Sequence, residues 1–403
     1  MKIIIFNPGT EGGIQRYACL QGKALQDLGC NVIIVCDEGH YIQEQEGIPV
    51  ERALVLEPPR KRGQLKLIRM LHFVGRILRN EWRLARLVRR IRPDVVLLSS
   101  FTEYFSPVWS WMQLGCRGLF GVTYVANLHD PVRDFVVGPL WWHELSVRMA
   151  YWPLSAVYTH QRVPPVAKVP ADILIREVPH GLFDAREPAG KQTEPQTDRW
   201  GFPAEAVVFL AFGFIRDGKN IDLLVRSLVS CPTAHLVVMG RVQSASNNRA
   251  ASYYRELAQE IGVSDRVKII DEFVPEEMLA GCFFAADAIA VTYSGAFHSQ
   301  SGVLNTIAHA NKPVLASSGE SPLKDCVLRF DLGIFVPPDN LELLEDGMAS
   351  MCRMIEHARQ GFPPPADSPK LDWESYRRFA SWETNARIVL DSLREIRGNS
   401  DQG

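Results

Sequence analysis

The chain has 403 residues, 46% of them hydrophobic and 22% charged, and a formal net charge of −2. That length exceeds one ordinary hydrophobic core and points to two domains of about 190 residues each. The balance excludes disordered, fibrous and membrane-embedded classes, and the near-zero charge gives no general attraction for nucleic acid.

The eight cysteines are scattered without CxxC or Cys/His spacing, so neither a zinc site nor a disulfide framework is expected. Met1 to Phe6 holds one lysine and then only four apolar residues before Asn7-Pro8-Gly9, too few for a signal-peptide core. No apolar run reaches the roughly 18 residues that span a bilayer, which predicts a cytoplasmic protein.

Lys2 to Phe6 reads as a first strand. After it, Gly12 and Gly13 precede a helix opening at about Ile14, where open backbone and a helix N-terminus favour an anion. The segment is neither GxGxxG nor GxxxxGK[ST], and a tight turn without a ligand explains the two glycines equally well. The next strand is Asn31 to Cys36.

From Arg60 to Arg92 there are twelve Lys or Arg residues and one acid, Glu81, interleaved with Leu67, Met70, Leu71, Ile77, Leu84 and Val88. This is a basic amphipathic helix. Five of the nine tryptophans fall between 101 and 152. Together these features suit an anionic membrane surface and a lipid-linked acceptor; a core-packing helix with a solvated face accounts for them as well.

Asp94 to Ser99, Thr123 to Asn127 and Ala156 to Thr159 complete the strands predicted for the first half. In open α/β sheets, ligands bind beyond the carboxyl ends of strands. His129 and Asp130 occupy such a position, an imidazole beside a carboxylate able to hold or move a proton near neutral pH. Asp184 to Pro203, rich in Pro, Gly, Gln and charge, reads as a linker.

The second half repeats the pattern, with strands predicted at 207–212, 235–239, 267–270, 288–291, 313–316 and 333–336. Alternation with helical segments specifies two doubly wound parallel sheets. After the first of these strands, Gly213-Phe214-Ile215-Arg216-Asp217-Gly218-Lys219-Asn220 precedes a helix. Arg216, through its planar fork, and Lys219, as a mobile point charge, suit the oxygens of a diphosphate. Further on, Ser301 is a natural N-cap, and Gly302 and Val303 present unpaired N–H groups at the next helix start. A helix follows near Leu341 to Arg359. The proline-rich stretch Gly361 to Pro369 breaks the pattern, and a last helix, about Trp373 to Arg397, is predicted to cross back to the first domain.

The chain resembles the GT-B glycosyltransferases, specifically family 4, which are retaining enzymes. The resemblance is carried by Gly12-Gly13, Leu128-His129-Asp130, Pro179-His180-Gly181, GFIRDGK at 213–219, LVVMGR ending at Arg241, QSGV at 300–303 followed by NKPVLAS, and SWET at 381–384. It implies a GT-B α/β architecture of two Rossmann-like domains facing a cleft. An acceptor domain would span 1–190, a donor domain 191–370, and the crossover helix and tail 371–403. It implies that Gly213, Arg216, Lys219, Arg241 and Ser301 to Val303 bind the donor diphosphate and nucleotide, and that His129 touches the transferred sugar. It also implies that no metal or other cofactor is needed. The expected partners are a nucleotide-sugar donor and a glycan or lipid-linked acceptor, without nucleic acid.

The sequence departs from the family at four positions. Where many relatives carry a pair of glutamates eight positions apart, His298 and Thr306 stand here; Thr306 offers a shorter hydroxyl contact to the donor ribose, and His298 changes charge near the sugar. Phe214 replaces the usual arginine after Gly213, and Asn311 stands where glycine is usual. The rival functions are isomerisation or hydrolysis of a nucleotide sugar on the same fold, and a silent nucleotide- or lipid-binding scaffold.

Overall fold

The computed structural model describes residues 1–8, 13–37, 47–55, 66–100, 103–129, 131, 136, 138–164, 167–183, 200–243 and 248–400. The chain divides into two compact units, one of Met1–Gly181 with Ala380–Gly403 and one of Leu182–Phe379.

The first unit holds a seven-stranded parallel sheet in the order β3-β2-β1-β4-β5-β6-β7. Its strands are β1 (Lys2–Phe6), β2 (Asn31–Asp37), β3 (Val50–Leu54), β4 (Val95–Leu98), β5 (Thr123–Leu128), β6 (Leu154–Thr159) and β7 (Leu174–Glu177). Both faces are covered, so the central strands are apolar throughout rather than alternating. In β1, Ile3 and Ile5 enter one core cluster while Ile4 and Phe6 enter the other, the two-residue period of a strand sorting side chains to opposite faces.

Helices α1 (Gly13–Asp27) and α12 (Trp382–Ser400) cover the first face, with Ala18, Leu25, Val389 and Leu393 packed on the strands. On the second face lie α2 (Lys66–Ile91), α3 (Ser106–Phe120) and α4 (Leu140–Tyr151), contributing Leu84, Leu87, Val88, Cys116, Val147 and Tyr151. The apolar stripe of the basic helix is therefore core in its C-terminal half. Ile68, Met70 and Leu71, in its first turns, are exposed.

The second unit has a six-stranded parallel sheet in the order β10-β9-β8-β11-β12-β13. These strands are β8 (Val207–Phe212), β9 (Ala234–Met239), β10 (Val267–Ile270), β11 (Ala288–Thr292), β12 (Val314–Ser317) and β13 (Gly333–Phe335). Helices α5 (Ile221–Ser227), α6 (Ala251–Glu260), α7 (Glu276–Ala285), α8 (Gly302–Ile307), α9 (Pro322–Arg329), α10 (Leu341–Arg359) and α11 (Trp373–Phe379) accompany them.

The structure differs from the sequence expectation in two respects. The edge strands β3 and β7 were not foreseen: VERAL and LIRE carry charges and are only partly buried, so they lack the apolar run that announces a strand. The single last helix expected over about Trp373 to Arg397 is two helices. Ser381 caps the second, its hydroxyl accepting from the Thr384 N–H at 3.1 Å. The break between them coincides with the passage of the chain back to the first unit.

Candidate functional site

In the second unit the segment after β8 folds over the ends of β8, β9 and β11. Gly213 takes φ of 93° and donates its N–H to the Met239 carbonyl at 3.0 Å. A 3-10 turn, Asp217–Lys219, follows; Ser294 donates its N–H to the Gly218 carbonyl at 3.0 Å, and the Thr292 hydroxyl donates to the Lys219 carbonyl at 3.1 Å. Asn220 leaves the turn at φ of 51°, its amide held by Asp339 at 3.0 Å.

These bonds place Lys219 inward. Its Nζ donates to the Phe212 carbonyl at 2.6 Å and lies over the bare α-carbon of Gly213, where a Cβ would come within 3.0 Å of Nζ and 3.6 Å of Val303 Cγ2. Burial, with the charge of Arg216 second, pushes its ammonium down to about 7. One of its three N–H donors is spent on Phe212, and the others remain for an anion.

The Arg216 guanidinium lies 5.7 Å from the centre of the Tyr293 ring, and the Tyr293 hydroxyl is 3.1 Å from that of Ser301. Ser301 in turn caps α8, accepting from the Leu304 N–H at 3.4 Å. A cavity of about 10 Å³, enough for one water, is lined by Phe212, Lys219, Thr292, Tyr293 and Val303 among others. Thus Gly213, Arg216, Lys219, Ser301 and Val303 are gathered in one place, with Tyr293 as the link.

Gly302, between Ser301 and Val303, is exposed at the first position of α8. Other expected residues sit apart from this group. The Thr306 hydroxyl donates to the Gly302 carbonyl at 2.8 Å and so is engaged within its own helix. His298 is exposed, its Nδ1 donating to the Glu320 carbonyl at 3.0 Å. Arg241 joins the loop through its main chain, its carbonyl accepting from the Ile215 N–H at 3.0 Å, while its side chain is exposed. Asn311 takes φ of 53°, a left-handed position that glycine or asparagine fills readily, which accounts for that exchange.

In the first unit, Gly13 opens α1 with nothing within 4 Å of where a Cβ would stand. Gly12 and Asp130 lie outside the described residues. His129, just past β5, has both ring nitrogens engaged, Nε2 at 3.1 Å from the Ser99 carbonyl and Nδ1 at 3.2 Å from His160 Nε2. His160 follows β6 and its Nδ1 is 3.0 Å from the Val178 carbonyl. Tyr17 of α1 packs against His129, His160, His180 and Trp382 with ring centres 4.8 to 5.3 Å away.

Tyr17 is held by a buried amide network. Asn385 donates to its hydroxyl at 2.8 Å and to the Pro179 carbonyl at 2.7 Å; Gln21 donates to Asn385 at 3.0 Å and accepts from Asn127 at 2.8 Å. Desolvation raises the Tyr17 phenol and lowers the imidazoles of His160 and His180, that of His180 to about 4. Sequence reasoning missed His160, although it stands one residue beyond a strand, where His129 was found. His180 lay in a quoted motif without a role, and Tyr293 stands just past the strand predicted at 288–291. Among the described residues no group of three or more His, Cys, Asp or Glu could hold a metal ion.

Residues 12–163 match the family described as "Glycosyl transferase 4-like domain". The chain has the GT-B fold. A sucrose-phosphate synthase from Thermosynechococcus elongatus superposes with a TM-score of 0.67 at 17% identity, covering 99% of each chain. Anabaena HepE, solved in complex with UDP, superposes at 0.64 with 16% identity over 100% of this chain and 99% of its own. At these identities the likeness is one of fold. D-inositol 3-phosphate glycosyltransferase of Corynebacterium glutamicum (strain R) is 25% identical over 184 residues, 42% of this chain. That match spans 43% of the relative, less than half its length.

Proposed function

We propose that this GT-B chain transfers a sugar from a nucleotide-diphosphate sugar to an acceptor hydroxyl. The observation that carries this reading is the Lys219 ammonium, partly buried against bare Gly213 and beside Val303 at the start of α8. A partly buried cation without a carboxylate partner is costly unless an anion completes it. Among the described side chains, the charge that acts on Lys219 is another cation, Arg216. Two cations beside a capped helix start suit a diphosphate, and the UDP bound to HepE is a ligand of that chemistry.

In the transfer, the bond from the anomeric carbon to the diphosphate oxygen breaks and a bond to the acceptor oxygen forms. The reading is of a retaining, metal-independent reaction in which the acceptor proton passes to the departing diphosphate. Lys219, Arg216 and the N–H groups at Ser301 to Val303 receive the leaving charge, an electrostatic contribution made largest where water is excluded. His129 contacts the transferred sugar.

The acceptor is a glycan or lipid-linked glycan, and the protein works in the cytoplasm on the inner membrane face. Three features support this. Ile68, Met70 and Leu71 are exposed on the arginine-rich α2; Leu140 and Trp141 are exposed on α4; and the rings of Phe73, Phe105 and Trp142 run between the two helices at 5.4 and 6.5 Å. Basic residues with interfacial aromatics suit an anionic lipid surface. Among the described residues no helix is long and apolar enough to cross a membrane.

Titration with nucleoside diphosphates, then with their sugars, tests the donor site. Arg216→Ala and Lys219→Ala are expected to weaken diphosphate binding by roughly 1 to 3 kcal/mol, the range for charge-assisted hydrogen bonds. Unchanged affinity in both variants rejects the site. Product analysis with and without acceptor tests the reaction: an isomerised or free sugar as sole product rejects transfer. Flotation with phosphatidylserine vesicles, against neutral ones, tests the lipid surface.

A further inference from the structure

Asp217 is the one acid between Arg216 and Lys219, the two cations that receive the diphosphate in the proposed reaction. Its carboxylate is engaged by the segment that leads into α6. Oδ1 accepts from the Arg249 N–H at 3.0 Å and from the Tyr254 hydroxyl at 3.2 Å, and Oδ2 stands 3.8 Å from Arg249 Nε. The same guanidinium donates from Nη1 to Asp222, in the first turn of α5, at 3.0 Å. One side chain thus meets both acids of this turn and the helix that follows it.

The surroundings hold Arg249 in that place. Its guanidinium lies 4.6 Å from the centre of the Tyr253 ring, and the neighbouring Asn248 accepts from the Asp217 N–H at 3.2 Å. Tyr254 is fully buried; burial first, and the Asp217 charge second, raise its phenol, so it stays a neutral donor. The charge acting on Lys219 is that of Arg216, although Asp217 is nearer in sequence. A free carboxylate in this turn would compete with a diphosphate for the same cations and repel it.

We propose that Arg249 is a positioning residue of the donor site: with Tyr254 it holds and neutralises the Asp217 carboxylate, so that the charge of Arg216 and Lys219 is left for a diphosphate. This rests on the reading of Arg216 and Lys219 as diphosphate ligands. Arg249 touches no substrate atom in this role and acts through Asp217.

Calorimetric titration of the full chain with UDP tests this, in a cycle of Arg249→Ala, Asp217→Asn and the two together. The amide oxygen of Asp217→Asn can still accept from Arg249 and Tyr254, and Arg249→Ala keeps its main-chain N–H, so the turn is retained. Arg249→Ala is expected to weaken UDP binding by about two- to fivefold, the scale of a partly exposed ion pair. Asp217→Asn alone leaves the affinity where it was, and in the Arg249→Ala background it restores it. A purely structural Arg249 would not be rescued by removing a charge elsewhere. A mere change in overall charge would make Asp217→Asn strengthen binding equally in both backgrounds.

Equal strengthening, or an Arg249→Ala chain that binds UDP as the unaltered one does, overturns the proposal. If Arg249→Ala fails to fold, Tyr254→Phe, which removes one donor to Oδ1, enters the same cycle: a loss reversed by Asp217→Asn supports the proposal, and unchanged affinity overturns it. An unaltered chain that does not bind UDP rejects the donor reading itself, whereas binding without coupling between Arg249 and Asp217 rejects only the positioning role.

Discussion

Trp382 lies so close upon Gly181 that any side chain at that glycine would overlap the indole. Gly181 also takes φ of 85°, a left-handed position that L side chains occupy at a cost. The pair joins the segment after β7 to the start of α12, within the first unit. Gly181→Ala is expected to destabilise this unit by about 2 to 4 kcal/mol, from overpacking and backbone strain together. Urea denaturation followed by tryptophan fluorescence measures it; a loss below about 0.5 kcal/mol, the scale of an ordinary surface change, contradicts the packing described.

Glu81 provides a pH signature. It is buried between α2 and α3, where the Gln113 amide donates to it at 3.0 Å, and burial raises its carboxyl to about 7. The folded state therefore binds a proton that the unfolded state releases near pH 4.5. Its stabilising contribution is complete below that value and is lost as pH rises through about 7. Glu81→Gln should remove this dependence and stabilise the protein at pH 8 by up to about 3 kcal/mol. Thermal unfolding from pH 5 to 8 gives the comparison, and parallel curves for the two proteins would refute it.

Lys219 supplies a second signature, in binding rather than folding. With its ammonium at about 7, the free protein loses the cation as pH rises above neutrality. A diphosphate requires the charged form, so affinity for UDP should fall up to about tenfold per pH unit between pH 7 and 9. Calorimetric titration over that range measures the slope. Lys219→Met should bind more weakly and show a flat profile; a slope retained in the variant assigns the titration elsewhere.

His129→Ala separates the two units. The His129 ring contacts Ser99 and His160 of the first unit, while the cations gather in the second. Turnover should be lost and UDP affinity retained, because only the contact with the sugar is removed. Turnover within about tenfold of the unaltered chain would retire the assignment, since positioned groups of this kind typically contribute more.

Much of the fold was legible because the central strands are short, fully apolar and bounded by turn residues, as in Val207–Phe212 and Lys2–Phe6. Edge strands such as Leu174–Glu177 were not, since one side faces solvent and the sequence reads as loop. Strand-end reasoning found His129 and the loop of Arg216 and Lys219 because those residues sit where parallel sheets expose their carboxyl ends. It did not find the partners. That Tyr293 links Arg216 to Ser301, or that His160 meets His129, depends on which strands are neighbours, and β5 lies beside β6 only in three dimensions. The apolar residues of α2 posed the opposite difficulty, for periodicity marks an apolar face without saying what covers it.

The first core is also finished last. Val389, Leu390 and Leu393 pack upon β1 and α1 from the far end of the chain, after the whole second unit has been laid down. During synthesis, therefore, the face of the first sheet that these residues cover stays open until the final helix leaves the ribosome, although domains made early generally fold early. A nascent chain halted before residue 380 would present that uncovered apolar strip to chaperones, and a premature stop there would harm the half of the molecule already made.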